Sequence, residues 1–155
     1  MISSSVNETL KLGRTLAKNL NKGDIICLFG NLGSGKTVLA KGIALGLGIN
    51  KDKIISPTFV LVRQQNGKNN IPFYHFDFYR LNSACDINIL GYEEYFYGEG
   101  ITVIEWPDRL EYLLPKEFLK INLKVEGDKE RSIAISAVGS RYKSLAEKIN
   151  ENFRS

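Results

Sequence analysis

Apolar positions near the start of the chain recur at helical intervals. Val6, Leu10, Ala17 and Leu20 fall close to one stripe, and Ser5-Val6-Asn7-Glu8 has the spacing of a capping box. The pattern predicts an amphipathic helix over residues 5–20. Asn21-Lys22-Gly23 ends it, and the apolar run from Asp24 to Phe29 follows as a strand. A second helix is expected from Lys36 to about Leu47, with Gly48 as its stop. Gly42 and Gly46 are poor helix formers, so close packing of this helix against the sheet is expected.

Thr58 to Arg63 reads as a strand, Asn66-Gly67 as a turn, and Ile71 to Tyr79 as the returning strand of a hairpin. Residues 83–97 read as helical but irregular, rich in tyrosine and acid. Ile101 to Ile104 is a short buried strand that runs into Glu105-Trp106-Pro107, and a short helix over 108–113 is stopped by Pro115. Strands near 118–125 and 131–137 flank the turn Glu126-Gly127-Asp128, and a last helix covers Ser140 to Asn152. With no repeat and no linker, residues 1–155 read as one α/β layered domain with some antiparallel strands.

Composition narrows the class without naming a chemistry. Hydrophobic residues make up 43% and charged residues 25% of the chain, as expected of an ordinary globular domain. The N-terminus shows no signal peptide, and no apolar stretch approaches a membrane span of about 20 residues. Cys27 inside a strand and Cys85 beside a helix start are expected to be reduced thiols, which points to the cytoplasm. A net charge of +4 is compatible with an RNA-bearing partner, but the lysines and arginines are scattered and form no block.

Chemistry enters at residues 30–37. Gly30-Asn31-Leu32-Gly33-Ser34-Gly35-Lys36-Thr37 is a complete G-x-x-x-x-G-K-[ST] loop between a strand and a helix. Gly30, Gly33 and Gly35 let successive N–H groups turn inward onto phosphate oxygens. The opening helix adds its positive end. Lys36 is expected to reach the terminal phosphates, and the Thr37 hydroxyl to ligate magnesium. The loop therefore predicts a bound nucleoside triphosphate with Mg2+.

Further candidates follow downstream. In Phe73-Tyr74-His75-Phe76-Asp77-Phe78-Tyr79-Arg80, a strand period puts His75, Asp77 and Tyr79 on one face and Tyr74, Phe76 and Phe78 on a core face. Asp77 is the acid whose burial would be costly without a cation or donors. Glu105 ends an apolar strand, where it would hold the metal through water or orient the nucleophile. Pro57 restrains Ser56 to an extended backbone and presents Thr58, a candidate contact to the γ-phosphate. Arg63, Arg80, Arg109 and Arg131 lie in no recognisable arginine-finger context, which predicts slow intrinsic hydrolysis accelerated by a partner.

Taken together, Gly-Asn-Leu-Gly-Ser-Gly-Lys-Thr, Ser-Pro-Thr-Phe, His-Phe-Asp-Phe-Tyr-Arg-Leu and Ile-Glu-Trp-Pro strongly resemble the TsaE (YjeE) family over about residues 5–110. The resemblance implies a three-layer α/β/α, P-loop NTPase-like domain with a mixed parallel and antiparallel sheet. It implies a Mg-dependent ATPase, activated in complex with TsaB and TsaD, that supports threonylcarbamoyladenosine modification of tRNA next to the anticodon. The tRNA is engaged indirectly, through that complex. By this resemblance the loop amides and Lys36 bind phosphates, Thr37 ligates magnesium, Thr58 faces the γ-phosphate, and Asp77 and Glu105 serve metal and water. Thr9 and Arg131 fall at positions expected near the nucleotide. A small-molecule P-loop kinase and a non-catalytic nucleotide-gated scaffold are the competing readings; neither an acceptor pocket nor an arginine-rich lid is visible in the sequence.

Overall fold

The apolar run after the first helix becomes the centre of the sheet. The computed structural model describes residues 1–54 and 61–154, and in it β2 (Ile25–Phe29) is covered on both faces, as expected of a parallel strand inside a sandwich. It pairs in parallel with β5 (Ile101–Glu105) on one side and with β6 (Phe118–Val125) on the other. Beyond β5 lie β4 (Pro72–Asp77), parallel to it, and β3 (Val62–Asn66), antiparallel to β4. Beyond β6 lie β7 (Arg131–Val138) and the two-residue β1 (Ile2–Ser3), both joined in antiparallel fashion. The seven strands run in the order β1-β7-β6-β2-β5-β4-β3.

Each face of this sheet carries its own apolar layer. On one face, α1 (Val6–Ala17), α2 (Lys36–Gly46) and α5 (Lys143–Asn152) contribute Leu12, Leu16, Leu39, Ile43, Ala146 and Ile149 to the core. The other face is covered by α3 (Cys85–Asn88), α4 (Tyr92–Phe96) and a 3-10 helix at Pro107–Leu113, through Ile87, Phe96 and Leu110. This is the expected α/β/α arrangement with a mixed sheet, and no helix among the described residues is long and apolar enough to cross a membrane.

Several elements differ from their sequence expectations. Helix α1 stops at Ala17, where Asn19 Nδ2 donates to the Thr15 carbonyl at 3.1 Å. Its start is as expected: Ser5 accepts from the Glu8 N–H, while Glu8 reaches back to the Ser4 N–H. Asn66 still pairs with Pro72, so the hairpin turn occupies residues 67–71 and not Asn66-Gly67; Asn69 and Asn70 supply the left-handed backbone there. The expected strand from Thr58 begins at Val62, with Leu61 in a bend before it; Ser56, Pro57 and Thr58 lie outside the described residues. The helical stretch 83–97 is two short helices broken at Gly91, which has φ 63°. Strand β4 ends at Asp77, so Tyr79 leaves the line of His75 and Asp77. Strand β1 is too short to leave a pattern.

The glycines of α2 face another helix, not the sheet. A Cβ on Gly42 would lie 2.5 Å from the Leu10 carbonyl and 3.0 Å from Gly13 Cα, and one on Gly46 would lie 2.5 Å from Ala17 Cβ. The backbones of α1 and α2 therefore meet at Gly13 and Gly42. Gly42→Ala is expected to lower the free energy of unfolding by about 1–3 kcal/mol through overpacking, read by urea denaturation. Unchanged stability would mean that the two helices separate at little cost.

Candidate active site

Strands β2, β4 and β5 run in parallel and end at the same edge, which is where open α/β sheets place their sites. The loop Gly30–Thr37 leaves the end of β2 and turns directly into α2. Gly33 and Gly35 hold φ of 79° and 102°, a left-handed backbone that suits glycine. No side chain caps the N-terminus of α2, so its first N–H groups stay open to the cleft. The cleft measures about 760 Å3. Leu32, Gly33, Gly35, Lys36 and Thr37 line it from the loop.

Gly30, Asn31 and Ser34 of the same loop hold its lysine. Lys36 Nζ donates to the Gly30 carbonyl at 2.6 Å and the Asn31 carbonyl at 3.0 Å, with Ser34 Oγ at 3.5 Å. The ammonium also lies 4.2 Å from the centre of the Trp106 ring, within cation–π range. Burial draws its pKa below the ordinary lysine value, and the charges of Glu105, Asp77 and Asp108 pull it back up.

The acids come from the adjacent strands. Parallel pairing of β4 with β5 sets Asp77 beside Glu105. Glu105 is 2% exposed. Its Oε1 accepts from the Thr37 hydroxyl at 2.7 Å, and its Oε2 lies 2.5 Å from His75 Nε2. Lys36, Thr37, Asp77 and Glu105 therefore converge as expected, and His75 joins them though no role follows from its sequence position. Asp77 Oδ1 accepts from the Tyr79 N–H at 3.0 Å. Burial raises the Asp77 carboxyl above the usual carboxylate range; the Tyr79 N–H opposes this, and the Glu105 charge adds to it.

That shift has a sign for stability. The folded chain binds the Asp77 proton more tightly than the unfolded chain, so stability falls as pH rises through the window above the ordinary carboxylate value. Asp24 is raised by burial as well and shares the window. Asp77→Asn keeps an oxygen for the Tyr79 N–H and removes the charge. It is expected to raise Tm at pH 7 and to flatten part of the decline above the ordinary carboxylate range in thermal unfolding. An unchanged pH slope would count against this account.

The remaining candidates sit on the opposite wall or beside it. Thr9 lines the cleft at the start of α1, but its hydroxyl is bonded to Ser3 Oγ at 2.8 Å and ties β1 to the helix. Arg131 lines it from the start of β7 and donates to the Gly33 carbonyl at 3.2 Å, with further bonds to carbonyls of the β6–β7 turn. Of the other candidate arginines, Arg63, Arg80 and Arg109, Arg80 also lines the cleft. Trp106, with a left-handed φ of 56°, packs its ring 5.0 Å from Tyr79. Among the described residues no group of three or more His, Cys, Asp or Glu side chains forms a metal cage. A cation here would depend on Thr37 and one or two carboxylates, a donor set that suits magnesium bound together with phosphate.

The sequence model of the family described as threonylcarbamoyl adenosine biosynthesis protein TsaE matches residues 3–133. A protein of Bacillus subtilis (strain 168) named tRNA threonylcarbamoyladenosine biosynthesis protein TsaE is 40% identical over 145 residues, spanning 94% of this chain and 89% of its own. Its namesake from Treponema pallidum (strain Nichols) is 39% identical, spanning 87% of this chain and 98% of its own. The crystal structure of Bacillus subtilis YdiB superposes with a TM-score of 0.83 at 37% identity, covering 98% of this chain and 93% of that one. By sequence and by fold, the chain belongs to the TsaE family.

Proposed function

We propose that this protein is a magnesium-dependent ATPase of low intrinsic activity that serves threonylcarbamoyladenosine modification of tRNA in the cytoplasm, together with TsaB and TsaD. The observation that carries the reading is the meeting of Lys36, Thr37 and Glu105 in one cleft, with Thr37 donating to Glu105 at 2.7 Å. The names of the relatives supply the biological process.

In this reading the amides of the loop and the open end of α2 take the phosphate oxygens. The Lys36 ammonium donates to the terminal phosphates and offsets their charge. Thr37 and Glu105, with Asp77 beside them, would hold the magnesium. That ion supplies charge neutralisation across the transferred phosphoryl group. Glu105 or Asp77 orients the attacking water and takes up its proton. Thr9 and Arg131 border the nucleotide from the α1 and β7 sides.

The test is an ATPase assay with magnesium, with and without the TsaB–TsaD pair. We expect ADP and phosphate as products, loss of turnover on chelation, and a rise of at least about tenfold with the pair, in keeping with groups supplied in trans to phosphoryl-transfer sites. A purified pair that neither binds the chain nor stimulates hydrolysis would sink the partner-dependent part of the reading.

A further inference from the structure

His75 approaches Glu105 from the side away from the loop. It stands on β4 on the same face as Asp77 and opposite Val103 of β5. It is 4% exposed, with its ring 6.3 Å from that of Phe73. Its Nε2 lies 2.5 Å from Glu105 Oε2, while the other oxygen is taken by Thr37. An ionised carboxylate can only accept hydrogen bonds, so both neighbours serve as donors to it. A long flexible side chain held at both oxygens has lost the freedom to swing out of the cleft. Thr37 faces the cleft and would turn its hydroxyl toward a ligand there; His75 lies behind and has no such competing demand.

We propose that His75 is the positioning residue of Glu105. Its Nε2–H fixes Oε2, which leaves Oε1 aimed at Thr37 and at the reacting end of the cleft before and during turnover. Here histidine performs the orienting task that outer partners perform for metal-bound and water-activating carboxylates elsewhere. The inference rests on the ATPase reading for its catalytic consequence, and on geometry alone for the contact.

The full chain is compared as wild type, His75→Leu, His75→Gln, Glu105→Gln and the His75→Leu/Glu105→Gln double variant. One readout is kcat and KM for ATP with magnesium and the TsaB–TsaD pair; the other is urea unfolding with no nucleotide present. His75→Leu is expected to lower kcat by about 10- to 100-fold with KM close to wild type. His75→Gln, whose carboxamide N–H reaches the place of Nε2, is expected to recover most of that loss. In the Glu105→Gln background, removing His75 should cost no further kcat, and the unfolding cycle should show coupling of about fivefold or more in the equilibrium constant.

A merely structural histidine would change stability without the split between kcat and KM and without rescue by glutamine. His75→Leu at wild-type kcat, glutamine no better than leucine, or fully additive losses would each overturn the proposal. If His75→Leu does not fold, His75→Asn, too short to reach Oε2, takes its place. Wild-type turnover with no coupling in unfolding sinks the His75 assignment alone. Coupling without any wild-type turnover supports the contact and sinks the ATPase reading.

Discussion

Glu105→Gln is expected to cut ATP turnover by about 100-fold or more while weakening ATP affinity far less, because the loop amides and Lys36 still take the phosphates. Glutamine keeps the length of the side chain and an oxygen that accepts from the Thr37 hydroxyl, now bonded at 2.7 Å. What it loses is the negative charge and the capacity to take a proton, and general-base groups contribute about 10²–10⁴-fold to rate. Glu105 is buried at the end of β5, so bulk water cannot easily stand in for it. Steady-state release of phosphate and a titration with ATP separate the two quantities. A glutamine variant that turns over like wild type would place the essential acid elsewhere, with Asp77 the next in line.

Lys36→Ala is expected to act on the other quantity. The Lys36 ammonium is held at the rim of the cleft by the carbonyls of Gly30 and Asn31. Losing a charge-assisted bond to phosphate costs about 1.5–3 kcal/mol, or about 10- to 150-fold in Kd. The loop loses its internal tie to Gly30 and Asn31 as well, so the effect should lie toward the upper end. Isothermal titration calorimetry with ATP and magnesium reads it directly. Equal affinity in the alanine variant would show that the loop amides alone carry the phosphates.

The two variants probe features that differ in how visible they were in the sequence. The loop was legible because its chemistry is local: eight consecutive residues supply the turns, the cation and the hydroxyl. Glu105 was legible because an acid at the end of an apolar strand behind such a loop has few other uses. The contact of His75 with Glu105 was not, because it joins residues 30 positions apart through the register of two parallel strands. A strand period placed His75 and Asp77 on one face, but only the pairing of β4 with β5 shows which acid stands beside them. Gly42 and Gly46 announced a close approach without naming the partner, and the sheet was the wrong choice because α1 lies nearer to those positions. The stretch 83–97 was legible as helical but irregular, and Gly91, with φ 63°, is where the two short helices part. Chain pairing and chain reversal decided these points, and neither is written in a short window.

The contact of Gly13 with Gly42 has a mechanical meaning as well. Helix α2 begins at the phosphate loop, and the first residues of α1, Val6, Asn7 and Thr9, lie on the rim of the same cleft. Two helices whose backbones touch cannot slide or tilt apart without breaking that seam. The loop and the α1 rim therefore form one fixed jaw. Trp106 and the Arg131 turn border that jaw, the first with its ring over Lys36 and the second bonded to the Gly33 carbonyl.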